Sequence, residues 1–154
     1  MNPMEELLPH RSPFLFVDAV DEASAERIVA RYTYKPAEFF FAGHFPEYPV
    51  VPGVVLIETM AQAGGAGLRR LGTLGGDALF FLASVDKVKF RRQVRPGETV
   101  RLEIANLRVS AKMVKQAGKA YVGAELAAEA EWLCLVGSAP AAAASAAPAP
   151  APSK

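Results

Sequence analysis

Glu58 is the residue that most disturbs its surroundings. It stands within Val54-Val55-Leu56-Ile57-Glu58-Thr59-Met60-Ala61-Gln62, a run otherwise dominated by apolar side chains. Desolvation disfavours a charged carboxylate, so the Glu58 proton is expected to be held more tightly than in water. A raised pKa suits a general acid. A structural carboxylate paired with an arginine or a backbone donor would leave the same trace in sequence. His44, in Gly43-His44-Phe45-Pro46, is the only histidine in an aromatic, glycine-containing loop. It reads either as a base or as a loop residue that hydrogen-bonds backbone. The two residues are fourteen positions apart, with Gly53-Val54 between them at the start of a helical pattern. Free N–H groups at a helix N-terminus favour developing negative charge. A base, an acid and an oxyanion donor so close in sequence form a kit for proton abstraction next to a carbonyl.

These groups need elements to hold them. Pro52-Gly53 opens the clearest helix, predicted from Val54 to about Leu71, and it is apolar nearly all round, as a core helix is. Gly64, Gly65 and Gly67 weaken that helix by about 1 kcal/mol each relative to Ala, but leave room for a sheet to come close. Strands are expected at Phe14–Val17, Ile28–Tyr34, Leu79–Val85, Thr99–Leu107, Arg108–Gln116, Lys119 to about Glu129 and Glu131–Gly137, with a turn at Ala117-Gly118. Residues 124–131 are helix-prone in composition, and pattern alone leaves them open. The sum is an α+β domain with one buried helix and five or six largely antiparallel strands.

The chain has 154 residues and a formal net charge of +1, which gives no nucleic-acid signature. Residues 1–66 hold nine acids and four bases, and the remainder seven acids and thirteen bases. The basic excess concentrates in Lys87, Lys89, Arg91, Arg92 and Arg95. Such a run reads as a solvated strand edge or as a docking patch for an acidic partner. Strand alternation would place Lys87, Lys89 and Arg91 on one face and Val88 and Phe90 on the other. The histidines His10 and His44 form no metal-binding pair, and no cofactor is expected. The lone Cys134 sits in an apolar run and reads as a small core residue. No apolar run approaches a membrane span and no leader is recognised, so the cytoplasm is the expected compartment. Residues 139–154 hold nine Ala and four Pro and are expected to be a disordered tail behind a domain of residues 1–138.

Leu8-Pro9-His10-Arg11, Gly43-His44-Phe45-Pro46 and Pro52-Gly53-Val54 through Glu58-Thr59-Met60-Ala61-Gln62 together resemble the FabZ-type 3-hydroxyacyl-acyl-carrier-protein dehydratases. Phe90-Arg91-Arg92, Arg95-Pro96-Gly97-Glu98 and Ala124-Glu125-Leu126 extend the resemblance to about residues 5–137. It implies a hot-dog fold, in which an antiparallel sheet wraps one central helix, and makes 124–131 a strand. It further implies a homodimer paired edge to edge, open to assembly as a trimer of dimers, with each site shared between chains. His44 would remove the C2 proton of a thioester, Glu58 would protonate the departing 3-hydroxyl, and the Gly53 N–H would hold the carbonyl. Val54, Gln62 and Phe81 would line the substrate, with Gln62 orienting Glu58 from one helical turn away. The partner would be acyl carrier protein, docked on Lys87, Lys89, Arg91, Arg92 and Arg95. Related dehydratase-isomerases carry Asp at the Glu58 position, so Glu favours dehydration without double-bond migration. His10 and Arg11 are assigned to structure. Ser12, Glu47-Tyr48 and Gln93 depart from the pattern without touching the acid–base pair. A hot-dog thioesterase, a non-catalytic carrier-binding paralogue and dehydration in polyketide or polyene assembly are the competing readings.

Overall fold

The computed structural model describes residues 2–138. The segment 139–154, with its expected disorder, lies outside the described residues. After a short 3-10 turn at Pro3–Glu6, the elements run β1 (Ala19–Ala23), β2 (Arg27–Thr33), α1 (Gly53–Arg70), β3 (Ala78–Phe90), β4 (Thr99–Val109), β5 (Met113–Val122) and β6 (Glu125–Ser138). The six strands form one sheet in the order β1-β2-β4-β5-β6-β3, and every neighbouring pair is antiparallel. This is the expected hot-dog arrangement. The sheet curls around α1, whose residues Met60, Ala63 and Ala66 are fully buried.

The helix glycines do what their spacing suggests. A Cβ on Gly67 would lie 2.5 Å from Ile28 of β2, and one on Gly64 would overlap the Gln116 amide of β5. Gln116 is itself fixed in the core. Its Oε1 accepts from Trp132 Nε1 at 3.2 Å and its Nε2 donates to Asn106 Oδ1 at 2.8 Å. Tertiary pairing also overrides helix propensity at 124–131: Ala124 stays in the turn, and residues 125–131 become the first half of β6, bonded to both β5 and β3.

Two expected strands are divided, Arg108–Gln116 by the turn between β4 and β5 and Lys119–Glu129 by the turn between β5 and β6, and two further expected features are absent. Phe14–Val17 is not a strand. The Phe16 N–H donates to Gln62 Oε1 at 2.8 Å and the Phe14 carbonyl accepts from Gln62 Nε2 at 3.1 Å, so a helix side chain takes the groups a ladder would use. Ala117-Gly118 is not a turn either, but the middle of β5. The glycine is there for close approach, since a Cβ on Gly118 would lie 2.5 Å from the Trp132 ring.

The β3 strand forms one margin of the sheet, with its outer edge open among the described residues. It carries Phe81, Leu82 and Phe90 largely exposed. A long apolar edge strand is an invitation to pair with another chain.

Candidate active site

Glu58 sits on the least buried stripe of α1, with Val54 one turn before it and Ala61 one turn after. Its side chain is 24% exposed. Oε1 accepts from Gln62 Nε2 at 3.0 Å and lies 3.5 Å from His10 Nε2. Gln62 is 2% exposed and also holds the backbone of Phe14 and Phe16, so its amide cannot turn away. The expected upward shift of Glu58 is not found in the single chain. Burial pushes its carboxyl up, but the His10 and Gln62 donors together outweigh that, and it titrates below the ordinary carboxylate value. The role foreseen for Gln62 thus has its geometry, whereas His10, read from sequence as purely structural, reaches Glu58.

His44 lies in the loop before α1. Its Nδ1 is 3.1 Å from the Val50 carbonyl. A carbonyl only accepts, so Nδ1 carries the hydrogen, and in the neutral ring Nε2 is the nitrogen free to accept a proton, as a base requires. The ring stacks on Phe45 with centroids 4.3 Å apart. His44 opens onto a cleft of about 570 Å³ that is also lined by Gly53, Val54, Phe90 and Gln93. Pro52, at the helix N-cap, offers no side-chain acceptor to the first N–H groups. Val55 and Leu56 donate to the Pro52 carbonyl, leaving Gly53 and Val54 N–H available. Gly53 lies against the Phe90 ring, where a Cβ would approach to 2.7 Å. The structure therefore brings His44, Gly53 and Val54 together. Glu58 does not line this cleft, and Phe81 lies apart from it on the open β3 edge.

The basic run is reshaped by the fold. Lys87 has a positive φ of 52°, and the β3–β6 register slips between Asp86 and Lys89, so the simple alternation expected for Lys87, Lys89 and Arg91 is broken. Most of these cations have carboxylate partners: Lys87 with Glu131 at 3.4 Å, Arg91 with Glu129 at 3.1 Å, and Arg92 with Glu98 at 2.7 Å. Arg95 instead lies over the Tyr48 ring, 4.1 Å from its centroid, and Tyr48 donates to Gln93 Oε1 at 2.9 Å. Two residues that depart from the family pattern, Tyr48 and Gln93, thus bond each other beside the His44 cleft.

The comparisons with known proteins agree with this architecture. The FabA-like domain family matches residues 8–131. The 3-hydroxyacyl-[acyl-carrier-protein] dehydratase FabZ of Desulforamulus reducens is 44% identical over 138 residues, covering 89% of this chain and 96% of the relative. The chain belongs to the FabZ dehydratase family. The FabZ of Moorella thermoacetica is similarly 44% identical over 137 residues, covering 88% of this chain and 95% of the relative. Among solved structures, the dehydratase heterocomplex ApeI:P from Xenorhabdus doucetiae matches with a TM-score of 0.73 at 19% identity, over 86% of this chain and 90% of that one. A phenylacetic acid degradation-related putative thioesterase from Ralstonia eutropha matches with a TM-score of 0.58 at 17% identity, over 76% of this chain and 83% of that one. Both establish the shared fold. The motifs that carry the resemblance fall around these groups: GHFP carries His44, PGV opens the helix, and LPHR brings His10 near Glu58. That last contact spans 48 residues and left no periodic or local signal.

Proposed function

We propose that this chain removes water from 3-hydroxyacyl groups carried on acyl carrier protein, giving the trans-2-enoyl thioester of fatty acid synthesis. The observation that carries this is the His44 cleft, where an imidazole with Nδ1 satisfied and Nε2 open lies beside an uncapped helix N-terminus. The thioester carbonyl accepts from the Gly53 N–H. That bond stabilises the negative charge that grows on oxygen as His44 Nε2 removes the C2 proton. The C2 electron pair forms the new double bond, the C3–O bond breaks, and the departing hydroxyl takes a proton from Glu58 and leaves as water. Val54 and Phe90 would cover the acyl chain near its thioester end, and Phe81 farther along.

Glu58 must then come from a second chain. It stands outside the cleft its own His44 lines. The open β3 edge with Phe81, Leu82 and Phe90, and Val54 at 73% exposure, offer the surface over which two copies would pair. Seating the partner would exclude water from Glu58 and move its carboxyl upward, toward what a general acid needs. The same reading places the homodimer in the cytoplasm with its carrier. Lys87 and Lys89 are then the cations most available to an acidic carrier, with Arg91 paired to Glu129, Arg95 laid over Tyr48 and Arg92 committed to the fold.

Incubation with a 3-hydroxyacyl carrier substrate and mass spectrometry of the product tests the reading. Loss of one water with the thioester intact is expected, and His44→Ala and Glu58→Gln should each slow turnover by roughly 10²-fold or more. Release of free acid would make the protein a thioesterase. An unchanged substrate would make it a carrier-binding protein.

A further inference from the structure

Both recorded contacts to Glu58 fall on one oxygen. Gln62 Nε2 donates to Oε1 at 3.0 Å, and His10 Nε2 lies 3.5 Å from the same atom. Among the described residues no partner is found for Oε2. His10 is held rather than loose. Leu8, two residues earlier, is anchored in the core. Arg11 Nη1 donates to the Leu8 carbonyl at 2.8 Å and to the His10 carbonyl at 2.7 Å, closing the backbone around the histidine. The other ring nitrogen, Nδ1, is buried and has no hydrogen-bond partner. A proton there would be buried and unpaired, so the neutral ring carries its hydrogen on Nε2, the nitrogen 3.5 Å from the carboxylate.

We propose that His10 is a positioning residue for Glu58: with Gln62 it ties down Oε1, so that Oε2 is the oxygen that passes a proton to the departing hydroxyl. The inference rests on the dehydration proposed above and adds a residue to it. Two donors on Oε1 favour the carboxylate left behind when the proton goes. They hold down a pKa that burial pushes up, which is the downward direction found for Glu58 in the single chain. The other titratable neighbour that feels Glu58 is Cys134 on β6. Burial, and then the Glu58 charge, push its thiol up to about 11, so it stays neutral across the working range. His10 is therefore the neighbour able to tune the acid.

The test uses the full-length protein with His10→Met, which keeps bulk without a donor, and His10→Gln, whose amide can replace the Nε2–H. Activity requires protonated Glu58 and falls as pH rises through its pKa. Losing a donor to the carboxylate should move that limb upward by about one pH unit, the scale of one hydrogen bond to a charged group. On the acid plateau, where Glu58 is protonated in both proteins, kcat of His10→Met should drop about 10-fold with KM nearly unchanged. His10→Gln should return the limb toward its original position. Carbon-13 NMR titration of the Glu58 carboxyl should show the same upward move without any substrate, and so reads the coupling even if the dehydration itself fails. A Glu58 titration unmoved in His10→Met would overturn the proposal, as would uniform loss of activity with an unmoved limb. If His10→Met does not fold, His10→Gln decides it: a folded variant whose Glu58 titration lies more than one pH unit from the original overturns the proposal, and one that keeps it supports it.

Discussion

The Arg92 guanidinium meets the Glu98 carboxylate as a fork, Nη1 to Oε1 at 2.9 Å and Nη2 to Oε2 at 2.7 Å. Glu98 Oε1 also accepts the Arg95 N–H at 2.8 Å. This clamp closes the turn between β3 and β4. The turn presents Gln93 and Val94 to the His44 cleft, and the Val94 carbonyl accepts the Val51 N–H at 2.8 Å. Arg92 is thus part of the cleft wall.

The clamp sets a pH dependence. Arg92 holds the Glu98 carboxyl below its ordinary value of 4.5. A carboxylate with a lowered folded-state pKa contributes stability above its unfolded value and loses it as pH falls through the folded one. Glu98→Gln should cost about 1–2 kcal/mol at pH 7. The difference from the original protein should shrink steadily below pH 4.5 in urea unfolding. A gap that stays constant down to pH 3 or so would show that the charge plays no part.

The same clamp revises the choice of residues for testing carrier docking. Reversing Arg92 would damage the cleft as well as the surface. Lys87→Glu with Lys89→Glu is the cleaner change, since Lys87 is 75% exposed with a loose 3.4 Å pair to Glu131, Lys89 has no ion pair among the described residues, and neither lines the cleft as Arg91 does. KM for carrier-bound substrate should rise several-fold, and the effect should fade with salt over a Debye length of about 10 Å at 0.1 M. Steady-state kinetics should leave kcat and short carrier-free thioesters nearly unchanged. Equal loss on both substrate types would mean that these residues support the fold.

If His44 and Glu58 meet across two chains, mixing inactive His44→Ala with inactive Glu58→Gln should restore activity. Random subunit exchange gives half heterodimers, each with one intact site, so recovery should approach about a quarter of the original activity per site. Native mass spectrometry can verify the exchange. No recovery despite proven heterodimers would place both groups in one chain.

The helix glycines separate propensity from packing. Alanine gains about 1 kcal/mol of helix propensity over glycine. At Gly64 the new methyl would overlap the Gln116 amide, which Trp132 and Asn106 hold in place, so Gly64→Ala should still destabilise by about 2 kcal/mol net. At Gly65 the nearest atom is the Phe80 ring at 3.1 Å, a side chain with room to give, so Gly65→Ala should be near neutral. Thermal melting of the pair checks the ordering.

Glu58 and His44 could be singled out from sequence because each breaks a local pattern, one a carboxylate in an apolar helix and the other an imidazole in an aromatic loop. The extent of α1 was legible for the same reason, to within a residue at either end. What could not be read were the relations made by long-range pairing. Phe14–Val17 has strand-like residues, but its backbone partner is the Gln62 side chain, 46 residues from Phe16. Gly118 resembles a turn until Trp132 is laid over it. The bulge at Lys87 depends on how β3 meets β6, which no single strand contains. The shift of Glu58 was misjudged because burial was visible in the pattern and the opposing donors, especially His10, were not.

The contact between Gly53 and the Phe90 ring has a consequence for redesign. A larger acyl pocket is usually sought by trimming or turning the aromatic residues that line it. Here the ring rests where a Cβ would meet it at 2.7 Å, so the end of β3 and the first turn of α1 share one van der Waals boundary. Trimming Phe90 would widen the cleft but would also remove the surface on which the first turn of α1 rests. Enlarging it would push the helix start away. If Phe81 lines the acyl chain as proposed, chain-length selectivity is more safely engineered there, along β3 and away from that boundary.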